Sequence, residues 1–222
     1  MQKDSLFFRF AQFCGALLAA VPCFYLSWAL FNVWRDPMSW EGGSWVRFGV
    51  GLLLLEFVLI HSGAFMAASI SGSLNLKKKL IALAGLALFY GLMVWGFTIS
   101  LESPELLWIY GSVILGRSAT AFTNGESGSG IMVARSGVGL VIYLVVVMAT
   151  VFIPIPEWGV TSSVLAEVFP DRGSGVWAEE PHRAVAGAAI YFGAMALVEL
   201  FLIGPNWMNI GEVDKNTVLQ SD

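Results

Sequence analysis

Residues 46–70 form an apolar run long enough to cross a bilayer, yet they include a carboxylate, Glu56, and an imidazole, His61. An ionisable side chain near the middle of a membrane helix costs at least ~2.5–3.5 kcal/mol on insertion scales, so it faces protein or water and has a partner. That cost is compatible with a structural ion pair, a proton path or a cation site. Any fold for this chain must therefore place both groups away from lipid.

The rest of the chain repeats the pattern without a second such pair. Apolar segments fall at about 10–34, 46–70, 80–100, 106–123, 132–153 and 184–204, each close to the ~20 residues a spanning helix requires. The fourth is the weakest, since only 106–116 is strongly apolar before Arg117. Charged residues make up 13% of the chain, about half the share of a soluble protein, and no soluble core could absorb the 57% that are hydrophobic. We read residues 1–222 as one all-α, polytopic integral membrane helix bundle of about six transmembrane helices.

Orientation follows from Lys and Arg. With the N-terminus inside, Lys3, Arg9, Lys77, Lys78, Lys79, Arg117, Arg135 and Lys215 fall on the cytoplasmic side, and only Arg35, Arg47, Arg172 and Arg183 outside. The bias favours N-in, C-in. The triplet 77–79 carries most of it and reads as a topology anchor beside anionic headgroups. Trp34, Trp40, Trp45, Trp158 and Trp177 lie near the outer ends and Trp207 near the inner end of the last helix, where amphipathic rings settle. The first apolar stretch exceeds the 7–15 residues of a signal core and is expected to be a retained helix, kinked at Pro22.

The composition also excludes several classes. Cys14 and Cys23 stand on opposite sides of one helix and cannot bridge. The formal charge of −4 and scattered basic residues argue against nucleic acid. No phosphate-binding loop, dinucleotide fingerprint or H-E-x-x-H is present.

The longest connection, 154–183, starts with Pro154 and Pro156 and carries Glu157, Glu167, Asp171, Glu179 and Glu180. Thr161 or Ser162 is placed to cap a short helix through Val168. A loop of this length caps a cavity, docks a partner or simply connects in water.

On the second segment, Gly49 and Gly63 lie seven residues either side of Glu56, nearly on its face. Small residues admit a neighbouring helix, so Glu56 points into the bundle as a neutral structural carboxyl, a proton or cation site, or a catalytic group. His61 lies about 140° further round and roughly 7.5 Å along. It is not an in-helix partner of Glu56 and reads first as a neutral histidine bonded to a hydroxyl or carbonyl. Arg117, Arg135 and Glu199 fall at similar depths on three helices, which predicts an inner-leaflet ion pair between Glu199 and one arginine. Ala189, Gly193 and Ala196 make the last helix a close packer.

Two further chemistries are testable on paper. His61 lies about 22 Å deeper than the outer edge, where His182 is expected. Two axial haem ligands must share one depth, which argues against a bis-His haem within one chain, and two His with one Glu make a poor metal set. The segment 125–130 holds Gly-Glu-Ser-Gly around Ser127, and His182 follows. Over those few positions this order resembles the rhomboid intramembrane serine proteases, which implies a Ser-His dyad in a six-helix core. The charge-derived topology puts Ser127 inside and His182 outside, where base-assisted attack cannot occur. Residues 125–130 otherwise read as a Gly/Ser turn.

Three functional expectations remain. The first is a non-catalytic subunit of a larger membrane assembly, with protein partners or copies of itself engaged through membrane helices and loop 154–183. The second is a proton- or cation-conducting transporter centred on Glu56, with His61 as relay and Glu199 near the exit; the third is the membrane hydrolase. The expected home is a bacterial cytoplasmic membrane, with the lipid bilayer as solvent; the sequence names no cofactor.

Overall fold

The computed structural model describes residues 4–71, 75–171 and 173–203, and the side chains of most of them, those of 4–13, 15, 19, 70, 71, 76, 119–132, 202 and 203 excepted. Lys3, Arg172, Trp207 and Lys215 lie outside the described residues. Every described element is helical: α1 (Asp4–Arg35), α2 (Ser44–Ser71), α3 (Leu76–Leu101), α4 (Glu105–Phe152), α5 (Ser162–Val168), α6 (Val176–Glu179) and α7 (Pro181–Val198), the last running into a π-helical turn, Glu199–Ile203. Two 3-10 turns, Pro37–Ser39 and Glu41–Gly43, join α1 to α2. Among the described residues, five helices are long and apolar enough to cross a membrane: Ala16–Arg35, Glu41–Ser69, Lys77–Leu101, Val133–Phe152 and Pro181–Phe201.

The fourth and fifth expected segments lie within one helical element of the backbone. Residues 105–152 form one helical element, and the Gly/Ser stretch 125–130 is helical, not an open turn. Helical hydrogen bonding keeps backbone groups satisfied where water is scarce. Yet α4 is not a straight rod, which at 48 residues would measure about 72 Å. Leu106 fills the space beside Gly51, and Arg117 reaches Ser62, so the first arm runs parallel to α2. Ser136 lies against Gly63, Tyr143 meets the Phe57 ring and Thr150 abuts Gly187, itself beside Leu53, so the second arm runs the other way. The element reverses direction between Arg117 and Arg135.

With that reversal the crossings alternate. Helix α7 runs parallel to α2, with Val185 against Gly49 and Tyr191 bonded to Glu56. Helix α1 packs mainly along α7. There Gly193 leaves room for Ser27, whose hydroxyl donates to the Ala189 carbonyl at 2.8 Å. The core sits on α2 and α7, whose spans are 67% and 61% buried, while α3 is 17% buried and forms the edge.

The end of the bundle that holds Arg35, Ser44, Leu101 and Phe152 is closed by rings and loop. Trp34 donates its indole N–H to the Pro156 carbonyl and stacks on Trp158 at 3.9 Å. The Gly159 N–H donates to the Trp34 carbonyl, tying the connection to the C-terminus of α1. A Cβ at Gly159 would run into the Arg35 carbonyl, which leaves glycine as the residue that fits. Arg183 donates to the carbonyls of Thr150, Val151 and Ile153, satisfying the last turn of α4. Helix α5 starts after Thr161 and docks through Val168 onto Gly43. The connection 154–183 is therefore a fastened cover with two short helices.

Candidate functional site

Four of the five ionisable groups singled out above gather toward the other half of the bundle. Glu56 of α2 is half-buried and accepts a 2.9 Å hydrogen bond from the Tyr191 hydroxyl of α7, which is 2% exposed. Tyr191 continues into an edge-on contact with the Tyr143 ring at 6.0 Å. One α2 face thus meets both α4 and α7 around a carboxyl, a consequence of the glycines at 49 and 63 that let those helices close in.

One turn further, Arg117 of the first α4 arm donates to the Leu59 carbonyl and lies 3.3 Å from the Ser62 hydroxyl. Gly63 makes this possible: a Cβ there would fall 2.8 Å from the guanidinium and 2.7 Å from the Ser136 hydroxyl. The arginine occupies the carbonyl lone pair that a helix keeps available beyond its own i→i+4 bond.

Glu199 opens the π-helical turn and has no exposed surface. Its carboxylate sits 2.7 Å from Arg135 Nε on the second α4 arm. The contact has the distance of an ion pair without the alignment of a hydrogen bond, and neither Glu199 oxygen has a hydrogen-bond partner among the described residues. Arg135 is 44% exposed. Cys23 of α1 lies within electrostatic range of Glu56, Arg135 and Glu199, and Arg117 within range of Glu56 and Arg135. Two carboxyl groups and two guanidiniums from α2, α4 and the turn after α7 thus form one polar centre beside the Cys23 thiol.

His61 stands apart from it. Its Nδ1 lies 2.7 Å from the Phe57 carbonyl and its ring centroid 4.1 Å from that of Phe57, on the flank of α2. His182 is buried at the start of α7, at the ring-closed end. The Ser127 side chain lies outside the described residues. Tyr191 and Ser62 were missed by sequence reading; the available signal for Tyr191 was a hydroxyl eight residues before Glu199 on an otherwise small-residue face.

A set of this kind can hold helices in register, and the bonded carboxyl and phenol of Glu56 and Tyr191 are groups that exchange protons. No protein family, curated protein or solved structure matches this chain.

Proposed function

We propose that this membrane-embedded helical protein works as a non-catalytic subunit of a larger membrane assembly, with both termini cytoplasmic and the polar centre serving to lock its helices. The observation that carries the reading is the open face of α3. Gly85 and Gly96 have no atom within 4 Å of where a side chain would begin, and three helical turns separate them on one face. Exposed Ile81, Leu88, Leu92, Trp95 and Ile99 border them at the three- and four-residue steps of a helix-pairing seam. Lipid gives no reason for glycine at such positions; a helix approaching closely does.

The test is the mass and composition of the tagged protein extracted from its native membrane in a lipid-preserving medium. A second chain in fixed ratio is the expected result, lost when Gly85 and Gly96 are changed to Leu. A lone monomer would overturn the subunit reading.

A second reading is favoured by the gathering of Glu56, Tyr191 and Glu199 in one centre: a proton- or cation-conducting protein, with His61 beside the path. Glu56→Gln should then abolish flux in proteoliposomes. Unchanged flux in that variant removes this reading.

A further inference from the structure

A cavity of about 410 Å³ opens at the ring-closed end, between α1, α2 and the turn joining α3 to α4. Its size suits a small organic ligand. We infer that it binds an organic ammonium compound carrying an apolar group, held by carboxylates at its rim and aromatic rings at its wall.

The rim carries three carboxylates, Glu41, Glu102 and Glu105, and one guanidinium, Arg47. Arg47 is already paired with Glu102. That leaves Glu41, whose one described bond is a long 3.5 Å contact from the Ser44 hydroxyl, and Glu105 in the exposed first turn of α4. Two uncompensated carboxylates on one small cavity select a cation. The chemistry of that cation follows from the rest of the lining. No three His, Cys, Asp or Glu side chains among the described residues converge closely enough to hold a metal ion. The wall instead presents Tyr25, Trp45 and Phe48, and Trp45 and Phe48 meet edge to face at 5.1 Å. Aromatic faces attract alkylammonium groups, which shed water more readily than a bare metal ion.

The position adds a second constraint. The wall belongs to a continuous series of rings, Tyr25 to Trp28, Trp28 to Trp40 and Trp40 to Trp45, with centroids 4.9–6.2 Å apart. Such rings mark the level of lipid headgroups. The ammonium can therefore come from a lipid headgroup or from a soluble amine, and the same side chains would hold either.

The experiment uses the full chain in lipid nanodiscs and benzyltrimethylammonium as probe, read by tryptophan fluorescence with empty discs subtracted. In phosphatidylglycerol discs, which lack an amine, saturable binding is expected, with none for benzyl alcohol. Affinity should fall about tenfold in Glu41→Gln/Glu105→Gln and in Trp45→Leu. The two glutamates are exposed, so an unchanged melting temperature of that double variant separates loss of the site from loss of the fold. In phosphatidylethanolamine discs, abolished probe binding assigns the site to the lipid headgroup, and retained binding assigns it to a soluble amine. Absence of saturable binding in phosphatidylglycerol discs, or unaltered affinity in Glu41→Gln/Glu105→Gln, overturns the proposal.

Discussion

The two halves of this bundle are held by different physics. At one end, Trp34, Trp158 and the backbone of Gly159 lock the long connection onto α1 through shape and neutral hydrogen bonds. In the other half, ionisable side chains join the helices: Glu56 accepts from Tyr191, Arg117 donates to the Leu59 carbonyl, and Arg135 pairs with the fully buried Glu199. A tight backbone contact has no room for an added atom. A buried charge fails differently: it tolerates removal of both partners far better than removal of one.

The largest expected effect tests the charge half. Arg135→Ala leaves the fully buried Glu199 without its cation, which should cost about 3 kcal/mol, the low end for a broken buried pair because Arg135 is itself partly exposed. Adding Glu199→Ala should restore much of that loss in thermal melts of the purified protein. A double variant no more stable than Arg135→Ala would show that charge is not what holds this half.

Gly159→Ala sharpens the other side. The new methyl meets the Arg35 carbonyl, a backbone atom that cannot swing aside, and the expected loss is about 1–3 kcal/mol. The same change at Gly85, which faces open space inside α3, should leave the melting temperature of the isolated chain unlowered, because alanine is the better helix former. Equal effects at the two sites would contradict the tight packing at Gly159.

Tyr191→Phe removes one hydroxyl from Glu56 and keeps the ring packing. Hydrogen bonds between membrane helices average about 0.6 kcal/mol, because the competing state also finds partners. A loss well above that in the same melts would mark Glu56 as more than a member of the structural set.

The smallest effect belongs to the exposed pair. Glu102 is 71% exposed and bonded to Arg47, and Glu102→Gln should cost at most about 0.5 kcal/mol and fade in high salt. A salt-independent loss would place that pair with the buried charges.

Sequence reading reached the helical class through segment length and hydropathy, and placed a short helix through Val168 behind Thr161 or Ser162, because a hydroxyl residue before an apolar stretch is a local signal; the helix starts at Ser162. It drew 106–123 and 132–153 as two segments, which fall on the two arms of α4, and missed only that the backbone between them is helical. Gly and Ser at 125–130 are weak helix formers. The centre was legible as a set of costly residues and not as a set of pairs. That Arg135 meets Glu199 while Arg117 turns to the Leu59 carbonyl depends on how each helix is rotated about its axis, which no single helix encodes. Tyr191 carried no cost that would single it out. The acidic rim at Glu41, Glu102 and Glu105 was scattered over two connections and becomes one surface only when α1, α2 and α4 assemble.

The packing of α1 along α7 also sets an order of events. A ribosome delivers the N-terminal helix first and the C-terminal one last, so α1 enters the membrane before the helix that receives Ser27 exists. Until α7 emerges, α1 must wait in lipid with Ser27 unmatched. A nascent chain stalled before residue 181 therefore holds α1 without the helix along which it packs.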